Sequence, residues 1–151
     1  MRASVSRPQA GWAGVRNWNG LMPSREIVTA IGAPPAVGPY SHAVRAGGLL
    51  FCSGQIPLDA ESGQLVGDGP GEQVRQCLEN LSVVCAAAGA SLGDAVRVTV
   101  YLTDMAAFGE VNDVYEGYFA NDPPARVAIG VAALPRGARA EVDAIVALPD
   151  A

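Results

Sequence analysis

The stretch Glu72–Leu102, EQVRQCLENLSVVCAAAGASLGDAVRVTVYL, contains the change of rhythm that decides the fold. From Glu72 to Ala88 the apolar residues Val74, Cys77, Leu78, Leu81, Val84, Cys85 and Ala88 recur at the i, i+3, i+4, i+7 spacing of one helix face, and Gly89 supplies the stop. From Asp94 to Leu102 the period changes to two. Val96, Val98, Val100 and Leu102 alternate with Arg97, Thr99 and Tyr101, the pattern of a half-buried strand. An amphipathic helix followed at once by such a strand implies that the two pack face to face.

The same rhythm continues outward. Downstream, Asp104 stands where a helix N-cap belongs, and the spacing predicts a second helix to about Phe119 with Phe108, Val111, Tyr115, Tyr118 and Phe119 inward. Strands are predicted over Ala125–Val131 and Arg139–Leu148, separated by Leu134-Pro135-Arg136-Gly137. Upstream, a loop with Pro57, Gly63, Gly67, Gly69 and Pro70 precedes the first helix. Before it, His42–Ala46 and Leu49–Ser53 flank Gly47-Gly48, a hairpin signal because a type I′ turn needs positive φ at both central positions. Gly32–Tyr40 is too rich in turn residues for a helix or a central strand, and Ile27–Thr29 is a short strand candidate. The order β-β-β-α-β-α-β-β describes an α+β fold, a single mixed sheet with two helices on one face. With only 17% of the 151 residues charged, self-association is the expected cover for the other face.

Composition removes several chemistries. All ten cations are arginine, so there is no Walker lysine and no Schiff-base lysine for pyridoxal phosphate. One histidine, His42, rules out a multi-histidine metal site, and Cys52, Cys77, Cys85 and His42 lack the close-spaced pair of a zinc site. Cys77 and Cys85 lie roughly 12 Å apart along a helix, too far to bridge. Without a secretory signal, the three cysteines read as reduced intracellular thiols. The chain carries a net charge of −5, but residues 1–21 hold three arginines and no acid, which leaves −8 on the rest. Such a body is a poor grip for nucleic-acid phosphates, and no apolar run is long enough to span a membrane. Residues 25–151 read as one domain. Residues 1–24 have no regular period and read as a disordered extension before a natural start at Met22, as a transit peptide, or as an arm using Trp12 and Trp18; Pro8, Gly11, Gly14 and Gly20 favour the first.

Candidate chemistry gathers on the last two strands. Arg126 shares a strand face with Ala128 and Gly130, a shallow slot ending in a guanidinium that suits bidentate carboxylate binding; the plain alternative is an exposed arginine on an edge strand. Glu141 and Asp143 share a face of the next strand, as solvated acids, as partners of Arg126, or as a base that positions water. Asn112 falls on the inner stripe of the second helix and either ties down a loop or points into a pocket. Gly38–His42 supplies a rigid loop with the Tyr40 phenol. Ser53-Gly54 ends a strand with a hydroxyl and a glycine that admits close approach to a ligand. His42 and Cys52 read as core residues.

These pieces resemble the Rid family of reactive intermediate deaminases, also called YjgF or RidA-like. The matching segments are Ala36–Val44, Cys52–Leu58, Gln73–Gly89, Val111–Tyr115, Pro124–Arg126 and Ala140–Ala144, in family order across more than 120 residues. The resemblance implies a chorismate-mutase-like fold and a cytoplasmic homotrimer with active sites between subunits. It also implies cofactor-independent hydrolysis of 2-enamine/2-imine acids, such as 2-aminoacrylate/2-iminopropanoate and 2-iminobutanoate, to 2-keto acids and ammonia. By position it assigns Arg126 to the substrate carboxylate and Glu141 to the attacking water. Tyr40, Ser53 and Asn112 are assigned to the pocket wall, and the backbone at Ala128 to the neighbourhood of the substrate nitrogen. The chain departs from familiar members at Ala128, where they carry cysteine, and at Ala140, where many are aliphatic and larger; both leave the substrate side chain open. A carboxylate-binding regulatory trimer, a deaminase of larger enamine acids from aromatic catabolism and, less favoured by the acidic body, an endoribonuclease are the competing readings.

Overall fold

The computed structural model describes residues 24–150, so the three readings of the N-terminal segment lie outside the described residues apart from Ser24, which is exposed coil. The described chain forms β1 (Glu26–Val28), β2 (Ala43–Ala46), β3 (Leu49–Gln55), α1 (Pro70–Ala87), β4 (Ala95–Leu102), α2 (Phe108–Phe119), β5 (Ala125–Gly130) and β6 (Ala140–Ala147), with short 3-10 turns before β4, α2 and β6. The strands make one sheet in the order β1-β2-β3-β6-β4-β5, with β4 and β5 parallel and every other pair antiparallel. This is the mixed α+β sheet read from the sequence. Gly47 and Gly48 turn the first hairpin at φ +58° and +77°, as a type I′ turn requires. Gly89, at φ +71°, closes α1: its N–H donates to the Ala86 carbonyl, and the Ala90 N–H donates to that of Cys85, a Schellman stop.

Both helices lie on one face of the sheet. Leu78, Leu81 and Val84 of α1 are fully buried against Val98 and Val100 of β4 and Val142 and Val146 of β6. Burial of side chains this size stabilises the domain by about 1.5–3 kcal/mol each. The N-terminus of α1 has no side-chain cap of its own; Glu110 of α2 accepts from the Gly71 N–H at 2.7 Å instead, which ties the helices together.

The opposite face stays open. Phe51 and Ile129 there are 43% and 41% exposed, and Ile145 of β6 lies beside Phe51. Two expectations need revision, at Val96 and at the start of the second helix. Val96 is not an inward residue of β4, because a bulge between Ala95 and Arg97 leaves it without a partner on β6 and exposed. On β5 the sharing of faces read from the sequence holds, and the structure adds which face is inward. Register with Val98, Val100 and Leu102 turns Arg126, Ala128 and Gly130 toward the helices, and Val127 and Ile129 toward the open face. The second helix starts later than Asp104 implies: the Asp104 carboxylate caps a 3-10 turn at Met105–Ala107, and α2 follows from Phe108.

Candidate functional site

Tyr40, Ser53 and Glu141 fall into one hollow, and Asn112 and Arg126 into another. The first, about 230 Å³, lies at the C-terminal end of β3, and its walls include Tyr40, Ser53, Gly54, Ile56, Pro135 and Glu141. Glu141 stands on β6, a central strand, half-buried on the face that also carries Asp143, opposite the core residues Val142 and Ala144. Burial raises its carboxyl pKa above the ordinary value, and the neighbouring Asp143 charge raises it further. Gly54 makes the arrangement possible, because a Cβ there would sit 2.0 Å from Glu141 Oε1. The glycine therefore admits a carboxylate from the protein itself, rather than only a ligand as the sequence suggested.

The rest of this hollow is fastened by backbone bonds. Ser53 Oγ donates to the Ser41 carbonyl at 2.6 Å, which leaves its lone pairs as acceptors. The Tyr40 hydroxyl accepts from the Val37 N–H at 3.2 Å and keeps its own proton for another partner. His42 is a buried strut: Nδ1 accepts from the Ala30 N–H, so Nε2 carries the proton donated to the Pro34 carbonyl. Asn80 reaches from α1 to the Leu58 and Ile56 carbonyls and holds the loop behind the hollow.

The second hollow, about 590 Å³, lies where α2 meets β5 and includes Asn112, Tyr115, Phe119, Pro124 and Arg126 in its walls. Arg126 is exposed on the edge strand. Its Nη1 donates to Asn112 Oδ1 at 2.8 Å, and its Cζ lies 4.7 Å from the Tyr115 ring centroid and 5.4 Å from that of Phe108. Asn112 thus spends its carbonyl oxygen on the arginine and retains its amide hydrogens. Ala128, two residues on, is half-buried against the core.

The two hollows share no residue. Glu141 and Arg126 lie on opposite faces of the sheet with β4 between their strands, so the ion pair allowed by the sequence does not form within one chain. The salt bridge present among the described residues joins Arg45 to Glu26. Asp143 is engaged by the Tyr101 hydroxyl at 2.7 Å in a third depression, on the open face beside Phe51, Arg97 and Thr99. Among the described residues no three His, Cys, Asp or Glu side chains converge as a metal site needs. The cysteines Cys52, Cys77 and Cys85 are buried and unbridged. Sequence reasoning missed the ring faces against Arg126; the signal was there in the stripe Phe108, Asn112, Tyr115, Phe119, which reads equally well as core.

A six-stranded mixed sheet with both helices on one face, and polar groups gathered in two separate hollows, defines a class of small α+β protein. The chain belongs to the family described as endoribonuclease L-PSP, whose model matches residues 30–148 and which includes the YjgF and RidA proteins. A mouse relative named 2-iminobutanoate/2-iminopropanoate deaminase is 47% identical over 121 residues, 80% of this chain and 90% of its own. The crystal structure of RidA from the Antarctic bacterium Psychrobacter sp. PAMC 21119 superposes with a TM-score of 0.78 at 39% identity, covering 82% of this chain and 99% of that one. E. coli TdcF with bound serine gives 0.77 at 35% identity, covering 82% and 99%.

Proposed function

We propose that the protein hydrolyses 2-enamine/2-imine acids, 2-aminoacrylate/2-iminopropanoate and 2-iminobutanoate among them, to 2-keto acids and ammonia. The observation that carries this reading is Arg126, a guanidinium exposed to solvent yet held in place by Asn112 and two aromatic rings, with donors left for a carboxylate. The serine-bound relative, whose ligand bears a carboxylate, and the deaminase name of the mouse relative point the same way.

In the reaction, Arg126 binds the carboxylate and the imine carbon is the electrophile. With the imine protonated, Glu141 accepts a proton from water as the C–O bond forms and returns it to the nitrogen of the carbinolamine; it then takes the carbinolamine hydroxyl proton as the C=O bond forms, the C–N bond breaks and ammonia leaves. A carboxyl with a raised pKa suits both halves of that exchange. Tyr40, Ser53 and the free amide of Asn112 line the substrate, and the Ala128 backbone lies beside its nitrogen. Because the two groups stand in separate hollows, the site is completed between subunits of a cytoplasmic homotrimer, whose contacts also cover the open sheet face. The chemistry then needs positioning more than activation. RNA cleavage, which the family description suggests, suits this chain less well, since a net charge of −5 repels a phosphate backbone.

The test generates 2-aminoacrylate with a pyridoxal-phosphate dehydratase and lets semicarbazide compete for the imine. Wild-type protein accelerates keto-acid release and Arg126→Ala abolishes the acceleration. No acceleration by wild type would overturn small-imine deamination, leaving a larger enamine acid or a binding role.

A further inference from the structure

We propose that Phe108 and Tyr115 form an aromatic clamp that holds the Arg126 guanidinium ready for a planar 2-keto or 2-imino carboxylate. The two are thereby positioning residues rather than merely core. The inference rests on the reading of Arg126 as the carboxylate anchor and adds what fixes that anchor.

An arginine on an edge strand has a long flexible side chain, and ordering it on binding subtracts from affinity. Here the ordering is done in advance. Cζ sits within cation–π range of both rings, and Nη1 is directed by Asn112 Oδ1. The residues responsible, Phe108, Asn112 and Tyr115, occupy one stripe of α2. Phe119, next along it, packs its ring 4.6 Å from that of Tyr115 and backs the clamp. The Tyr115 hydroxyl is buried and has no hydrogen-bond partner among the described residues, while the ring face is occupied by the arginine. The ring is therefore the working part of Tyr115, and its hydroxyl is expendable.

The experiment measures pyruvate affinity by titration calorimetry, KM and kcat in the imine competition assay, and thermal melting, for wild type, Phe108→Leu, Tyr115→Leu, Tyr115→Phe and Arg126→Ala. Each leucine variant is expected to weaken pyruvate binding and raise KM by about three- to tenfold, with kcat changed by less than about twofold. Tyr115→Phe restores wild-type affinity and melts no lower than wild type. Half-buried Phe108 decides the matter if Tyr115→Leu fails to fold. Folded leucine variants with wild-type affinity, alongside an Arg126→Ala variant that has lost pyruvate, would overturn the clamp and leave the anchor standing. An Arg126→Ala variant with wild-type affinity and KM, or wild-type protein that binds no pyruvate, would overturn the anchor itself. A Tyr115→Phe variant as weak as Tyr115→Leu would also overturn the clamp, because it would show that the hydroxyl is the acting group.

Discussion

The two hollows hold their key charges by different means. Glu141 belongs to β6, paired on both sides by β3 and β4, and its carboxylate lies in a gap that exists because residue 54 has no side chain. Arg126 belongs to β5, an edge strand with one neighbour, and is held by side chains of α2. A central strand defines a position through its backbone ladder, and the surrounding chain cannot easily shift. On an edge strand the direction of a long side chain must come from packing and hydrogen bonds. Damage to the first hollow should therefore appear mainly in kcat, and damage to the second mainly in KM.

The sharpest way to break that contrast is Glu141→Gln. Loss of a positioned proton acceptor costs on the order of 10²-fold in kcat, with KM nearly constant, in steady-state assays. The same variant carries a stability signature. The folded carboxyl pKa is raised, so ionising it opposes folding; the cost is present above its folded pKa and relieved as pH falls through it. Glu141→Gln should melt higher than wild type at neutral pH, the gain shrinking in acid. Equal melting temperatures at pH 7 would contradict this.

Gly54→Ala is the next largest. The added methyl must displace the Glu141 carboxylate or the strand, at about 1–3 kcal/mol of stability, with kcat reduced roughly tenfold. Asn112→Ala probes the other hollow. Loss of one hydrogen bond to Arg126, worth about 0.5–1.5 kcal/mol, raises KM about two- to tenfold and spares kcat. If kcat fell instead, the division between the hollows would be wrong. The smallest effect is that of Asp143→Asn. With Glu141 as the proposed proton acceptor, activity is expected to fall as pH drops through its pKa, and removing the Asp143 charge is expected to move that acidic limb to lower pH in a pH–rate profile.

Sequence period exposed most of the fold, because a buried helix stripe and a two-residue alternation are written directly by which side chains avoid water. It failed at Val96 and left the inward face of β5 undecided. At Val96 a bulge inserts a residue into β4 without changing the alternation of letters. On β5 the pattern is symmetric under exchange of faces: Val127 and Ile129 could have pointed to the core, but pairing in register with β4 turned them outward. The candidate site was legible only as residue types. Arg126, Glu141, Tyr40, Ser53 and Asn112 were all singled out, but as members of one constellation whose distances no sequence contains.

What the amino-acid sequence determined by itself was therefore the set of elements, the two turns that demand positive φ, and the residue types available for chemistry, since each follows from local sterics and burial. Tertiary structure alone decided which face each strand presents, that Glu141 rests in the space left by Gly54, and that Arg126 leans on the rings of α2. Those outcomes depend on register and on contacts between residues distant in the chain: Gly54 and Glu141 lie on the β3–β6 pair, and Arg126 meets Asn112 only because α2 crosses over β5.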